Sequence, residues 1–132
     1  MPDDLYGAPV PEQLWERIRN EFQLPALEQV RERFSAAQEN PDPIMRRLVR
    51  VFIDDDTYCP GYQFQADLSL NPIVTVLFER AMELRIPHNY FALWMMVPCP
   101  ALGGSRPVDL RHAGDPSPLL AALGQLRAGL AA

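Results

Sequence analysis

The chain is organised around one stretch, Trp94-Met95-Met96-Val97-Pro98-Cys99-Pro100-Ala101-Leu102-Gly103-Gly104-Ser105-Arg106-Pro107-Val108-Asp109-Leu110. An apolar run ends at Pro98, the Gly103-Gly104 pair follows, and Arg106-Pro107 opens a new element. Because glycine adopts left-handed backbone angles without strain, the pair can form a tight loop. This order predicts a helix–loop–helix hinge.

The side chains of the hinge are of types found where proteins contact one another. Trp94, Met95 and Met96 offer aromatic and deformable apolar surface, which is enriched at the centres of interfaces. The alternative is that Trp94 belongs to the core and that the methionines fill gaps around it. Arg106 can fork onto a carboxylate, either that of Asp109 or one on a partner. We expect the hinge to shape a surface that binds another protein.

The length and composition predict one globular domain. The chain has 132 residues, of which 48% are hydrophobic and 22% are charged. This composition is typical of a soluble domain with a single hydrophobic core. No apolar run is long enough to span a bilayer, and the acidic start Met1-Pro2-Asp3-Asp4 differs from a secretory signal. We therefore expect a cytoplasmic protein with no membrane partner, in which Cys59 and Cys99 are reduced thiols.

Negative charge is concentrated in the first half of the chain. Residues 1–70 contain 13 acidic residues and 7 arginines, whereas residues 71–132 contain 4 acidic residues and 5 arginines. The formal net charge of −5 provides no global basic field for nucleic acid. The acidic half can attract a basic partner, although most acidic faces of proteins are simply solvated.

The spacing of apolar residues and prolines predicts an all-α fold. Helices are expected to begin with a proline at the first helical position and to end before the next proline. Within this single domain we predict an N-terminal helical region at residues 1–57 and a C-terminal part at residues 58–132. The helices are predicted to begin near Pro11, Pro25, Pro43, Pro72, His88 and Pro116, with a short helical turn from Pro107 to His112.

Three details of this prediction depend on weaker signals. The second helix is expected to end at Gln38. The third, with Asp42 as its N-cap, is expected to reach Phe52, although Leu48–Ile53 also suits a strand. The segment Tyr58–Gln65 alternates large and polar residues around a Pro-Gly turn, which predicts a short extended piece whose rings fill the core.

No group of residues has the pattern of a catalytic or metal site. Asp54-Asp55-Asp56 lacks the alternating carboxylates and the glycine of a calcium loop. The histidines and cysteines lack the close spacing of zinc ligands. Neither a nucleophile elbow nor a phosphate-binding glycine loop is present. We predict that the protein is not an enzyme and uses no metal or cofactor.

The ordered motifs of residues 58–130 resemble the toxin-binding domain of the Xre/MbcA/ParS-like antitoxins. That family has a Phe-Gln-Phe-like element, a helix, a Trp, a Pro, Leu-Gly-Gly, a second Pro with a bulky residue and Asp-Leu, and Gly-Asp before a last helix. The matching residues here are Tyr62-Gln63-Phe64, Trp94, Pro98, Leu102-Gly103-Gly104, Pro107-Val108-Asp109-Leu110 and Gly114-Asp115. Arg111 departs from the pattern, since the family often has a second leucine there.

The resemblance implies a non-enzymatic antitoxin whose partner is a RES-domain toxin, which destroys NAD. The implied mechanism is steric: the hinge holds the body in place while Leu119–Ala132 covers the mouth of the toxin's active site. Arg127 would pair with an acidic group there, and relatives suggest that the protein self-associates into homo-oligomers. The expected toxin-binding residues are Trp94, Leu102, Gly103, Gly104, Arg106, Pro107, Asp109, Leu110, Leu123, Leu126 and Arg127.

The alternative function is a DNA-binding transcriptional regulator. Arg46, Arg47 and Arg50 are predicted to share an exposed helix face that contacts phosphates, with Arg31 and Arg33 nearby. The acidic first half and the lack of a recognisable helix–turn–helix count against this function. It predicts strongly salt-dependent binding to upstream DNA.

Overall fold

The computed structural model describes residues 10–37, 39–67 and 69–131, so the predicted ends of the second helix at Gln38 and of the tail at Ala132 lie outside the described residues. Its fold is mostly helical and contains one small antiparallel sheet, so a purely all-α fold is wrong. The elements are α1 (Val10–Phe22), α2 (Leu27–Ala37), α3 (Asp42–Met45), β1 (Val51–Ile53), β2 (Asp56–Tyr58), α4 (Pro72–Glu83), α5 (His88–Trp94) and α6 (Ser117–Ala131). Short 3₁₀ turns lie at Gly61–Gln63, Pro100–Leu102 and Pro107–Leu110.

The clearest difference from the predicted fold is a β-hairpin. The helix predicted to reach Phe52 is the single turn α3, and β1 pairs with β2 in its place. Val51 and Ile53 are β-branched and favour a strand. Asp54 and Asp55 then reverse the chain with φ values of 50° and 69°, which Asp tolerates better than most residues with a side chain. The aspartate run is therefore a hairpin turn.

The predicted N-cap is confirmed for α4 and is wrong for α3. The Asn71 side chain accepts hydrogen bonds from the backbone N–H groups of Ile73 and Val74, both at 3.0 Å, as Asn71-Pro72 predicts. Asp42, predicted as the N-cap of α3, is instead its first residue. The N-cap of α3 is Pro41, which has no capping side chain, and the Asn40 side chain before it accepts from the N–H of Asp42 at 3.1 Å.

Apolar side chains form two clusters. The main core joins α1, α4, α5 and α6 around Tyr62, and it includes Trp94, Met95 and Met96. The smaller cluster joins α2 and α3 around Cys59. The predicted boundary between residues 57 and 58 falls within β2, and the main core takes residues from both sides of it.

Tyr62 and Gln63 lie inside the core and anchor the chain around them. The Tyr62 hydroxyl donates to the carbonyl of Ala92 at 3.0 Å. The Gln63 carboxamide accepts from the N–H of Val49 at 2.8 Å and donates to the carbonyls of Val49 and Pro60 at 2.9 and 3.0 Å. Because a buried amide is costly unless its groups are paired, these bonds fix the path of three segments.

Gly61 brings this turn against the end of α1. Its N–H donates to the carbonyl of Gln23 at 2.9 Å. A Cβ at Gly61 would lie 2.8 Å from that carbonyl oxygen and would overlap the carbonyl of Phe22. These neighbours are backbone atoms that cannot move aside, so only glycine fits.

We expect Gly61→Ala to lower the free energy of unfolding by at least about 2 kcal/mol, because the new methyl group must displace backbone. The matched control is Gly124→Ala on α6, where a Cβ meets nothing within 4 Å. That change should stabilise the protein by about 0.5 kcal/mol or more through helix propensity. Denaturant unfolding measures both values, and equal stability of Gly61→Ala and the unmodified chain would contradict the close approach.

Candidate functional site

A surface groove lies between the hinge and α6. We call it the hinge groove. It has a volume of about 260 Å³, and each of its lining residues is uncharged. They are Trp94, Val97, Pro98, Cys99, Pro100, Ala101, Ala122, Gln125 and Leu126. An open, largely apolar groove of this size suits the side chains of a partner protein better than a polar metabolite.

Trp94 belongs to the main core and also lines the hinge groove. Only 5% of its surface is exposed, and its ring packs near Phe91 with centroids 6.1 Å apart. Its remaining exposed edge lines the hinge groove. Met95 and Met96 are fully buried, so they pack the core and offer no surface to a partner.

The loop of the hinge is closed by its own backbone. Cys99 donates to the carbonyl of Ser105, and Gly104 donates to the carbonyl of Cys99, both at 3.0 Å. Gly103 and Gly104 have φ values of 69° and 88°, in the left-handed region that favours glycine. Both glycines are exposed, and Leu102 before them is half-buried. The Gly-Gly pair therefore shapes the loop and leaves its tip open to solvent.

Arg106 fastens the second half of the hinge to α1. Its Nε and Nη2 donate to the two carboxylate oxygens of Asp109, both at 2.9 Å. Its Nη1 and Nη2 donate to the two carboxylate oxygens of Glu21, both at 3.0 Å. The guanidinium thus forms two bidentate pairs, the strongest geometry available to arginine. The pair with Asp109 is one of the two alternatives predicted from the sequence. The long-range pair with Glu21 was not predicted.

The charges of this cluster shift one another's proton affinities. Hydrogen bonds from the guanidinium lower the pKa of Glu21 and of Asp109, and the carboxylates raise the pKa of Arg106. Since Arg106 is already satisfied by this chain, its predicted pairing with a carboxylate on a partner would have to compete with these bonds.

Arg111, which stands where the resembling family often has leucine, also packs against α1. Its guanidinium lies over the ring of Phe22, 4.9 Å from the ring centre, and donates to the carbonyl of Val108 at 2.8 Å. Burial lowers the pKa of Arg111. Arg111 therefore packs against α1 by stacking on an aromatic ring.

The other predicted toxin-binding residues occupy different environments. Pro107 and Leu123 are buried and support the surface from within, whereas Leu110 and Leu126 are half-buried and partly accessible. Arg127 donates through Nε to the carbonyl of Leu84 at 2.6 Å, near the end of α4. The pairing predicted for Arg127 with an acidic group on a partner would have to replace that bond.

The three arginines predicted to contact DNA do not share a helix face, which corrects that prediction. The chain leaves α3 at Met45, so no helix aligns them. Arg46 is exposed, Arg47 pairs with Glu79 at 3.1 Å, and half-buried Arg50 donates to the carbonyl of Met45 at 2.7 Å. Nearby, Arg31 pairs with an aspartate of α3 at 3.0 Å.

Within residues 10–37, 39–67 and 69–131, no three His, Cys, Asp or Glu side chains lie together as a metal site would require. Both cysteines are free thiols: Cys59 is buried, which raises the pKa of its thiol to about 11, and Cys99 lines the hinge groove. No described helix is both long enough and apolar enough to cross a bilayer.

We expect Arg106→Gln to lower the free energy of unfolding by about 1 kcal/mol or more, because it leaves two carboxylates without their bidentate partner. Arg80→Gln is the control, since the Arg80–Glu83 pair is exposed and 3.8 Å long; its loss should cost less than about 0.5 kcal/mol.

The pH dependence gives this prediction a second readout. Folding lowers the pKa of Glu21 from 4.5 and that of Asp109 from 3.8. The stability that these two ion pairs contribute is therefore complete above the unfolded-state pKa values, and it is lost as the pH falls through the lower pKa values of the folded state. Denaturant unfolding from pH 7 to pH 3 should show the difference between Arg106→Gln and the unmodified chain shrinking below about pH 4. A difference that is independent of pH would contradict the pairing.

Comparison of the chain with protein-family models, curated protein sequences and solved structures found no match.

Proposed function

We propose that the chain is an antitoxin that binds a RES-domain toxin and blocks the toxin's NAD-degrading active site. The proposal begins from the ordered motifs of residues 58–130, which resemble the toxin-binding domain of the Xre/MbcA/ParS-like antitoxins. The observation that carries it furthest is the hinge groove, because two separate parts of that motif series form its walls.

The two walls come from the hinge and from the last helix. On one side lie Trp94 and the turn that begins at Pro98, and on the other lie Ala122 and Leu126 of α6. Their apolar, uncharged character is that of an interface centre, where charged residues are depleted. A partner side chain that enters the groove would bury apolar surface, at about 25 cal/mol for each Å² removed from water.

The proposed mechanism is steric. The hinge is held rigid by its own loop bonds and by Arg106, so docking would cost little ordering entropy. The end of α6, just beyond Leu126, would then cover the entrance to the partner's NAD pocket. This mechanism needs no catalytic group on the antitoxin.

The alternative of a DNA-binding regulator has weaker support. Arg31 and Arg47 are committed to ion pairs, and Arg50 is turned toward its own backbone. Phosphate binding depends on several arginines or lysines presented together. No observation on the described residues favours DNA over a protein partner.

We expect Ala101→Glu to weaken binding to the RES-type product of the neighbouring reading frame by at least about tenfold, which is about 1.4 kcal/mol. Ala101 is exposed and lines the hinge groove, so the change should leave folding intact but bury an unpaired carboxylate in the complex. The control is Ala36→Glu, at an exposed position on α2, which should bind as the unmodified chain does.

Co-expression followed by affinity capture measures binding, and the NAD content of the cells measures neutralisation. If the unmodified chain neither captures the toxin nor preserves NAD, the antitoxin function is wrong. If the unmodified chain does both and Ala101→Glu does so equally well, the function stands and the hinge groove is not the docking site.

A further inference from the structure

A half-buried histidine lies where the β-hairpin meets the helices. His88, the first residue of α5, lies between the rings of Phe52 on β1 and Phe78 on α4, with centroid distances of 5.5 and 5.3 Å. Its Nδ1 atom is buried and has no hydrogen-bond partner among the described residues. A second proton on this ring would therefore place a charged N–H at Nδ1, where no described residue provides an acceptor.

Arg50 makes that charge still less favourable. It is the charged side chain whose field acts on His88, and no acidic group of α4, α5 or the hairpin offsets it in the described part of the chain. Its own Nε is likewise buried with no partner there. Burial, aided by this repulsion, lowers the pKa of His88, although a backbone hydrogen bond with Arg50 acts in the opposite direction. Neutral His88 thus fits its surroundings and the protonated form does not.

The next residue ties the same helix to the same strand. The Asn89 carboxamide accepts from the N–H of Phe52 and donates to the carbonyl of Phe52, both at 2.9 Å. It therefore occupies the outer edge of β1 as a neighbouring strand would. His88 and Asn89 together hold the outer edge of the hairpin.

Beyond these contacts, Val51 of β1 is fully buried in the main core, and Ile53 and Tyr58 pack against that core. Each strand has three residues, and a two-stranded hairpin is marginal in water unless it packs against other elements. On its far side, Tyr58 forms one isolated bridge to Ala26. The ring of Phe52 remains 54% exposed even when the hairpin is closed.

We propose that His88 is a proton-operated latch whose protonation releases the Val51–Tyr58 hairpin from α4 and α5. Opening would separate Phe52 from His88 and loosen the link between the hairpin and the start of α2. The rest of the main core, which contains no histidine, would remain closed. Mild acidity would then open this one segment of the protein.

The sign of the effect follows from linkage. The closed form takes up a proton less readily than an unfolded or opened segment, whose histidine has the ordinary pKa of 6.5. The closed form is therefore fully stable above that value and loses stability as the pH falls from 6.5 toward the lowered pKa. At pH 5.5 the opening equilibrium can rise by at most about tenfold over its value at neutral pH.

Amide hydrogen exchange of the full chain, corrected for the intrinsic effect of pH, tests the latch. At pH 5.5 we expect hairpin amides to exchange about threefold to tenfold faster than at pH 7.5, while the amides of α4 remain unchanged. The response should disappear in His88→Phe, which keeps an aromatic ring but cannot be protonated, and should persist in His112→Ala, which removes the other histidine.

Equal acceleration in His88→Phe, or no acceleration in the unmodified chain, would overturn the proposal. If His88→Phe does not fold, NMR titration of His88 in the unmodified chain decides: a pKa below 6.5 supports the latch, and a pKa at or above 6.5 refutes it.

Discussion

The buried carboxamide of Gln63 is the constraint on which the rest of the structure depends. Its three hydrogen bonds join the turn at Pro60 to the segment at Val49 that leads into β1. The adjacent Tyr62 bonds to α5, and Gly61 bonds to the end of α1. The turn from 61 to 63 thus connects both halves of the chain. The Phe-Gln-Phe-like element of the motif series is the structural anchor of the fold, and the groove that we assign to docking lies elsewhere.

A second constraint orients the hinge. Arg106 clasps Glu21 and Asp109, and Arg111 stacks on Phe22, so the end of α1 supports the hinge at two points. The residues that resemble an antitoxin domain therefore depend on contacts from residues before position 58. The first helix belongs to the framework that presents the hinge groove.

Local signals in the sequence predicted much of this architecture. The prolines predicted where the helices begin, Asn71 predicted the N-cap of α4, and Gly103-Gly104 predicted a loop with left-handed backbone angles. The hairpin was missed because a run of aspartates resembles a solvated loop, although Asp also tolerates the positive φ values of a tight turn. Glu21, the second partner of Arg106, lies 85 positions away, and Leu84, the partner of Arg127, lies 43 positions away. Spacing along one chain carries no signal for such pairs, and so it could not separate arginines that bind a partner from arginines that hold the fold together.

The paired hinge and the uncharged hinge groove support our proposal that this protein docks on the surface of another protein. The most direct measurement is hydrogen exchange of the chain alone and in complex with a RES-domain toxin, the partner that we propose for it. We expect protection to increase at residues 97–103 and 121–131, on both walls of the hinge groove and along the end of α6, with no change at residues 46–50. Protection confined to residues 46–50, with the groove unchanged, would contradict the proposed docking mode.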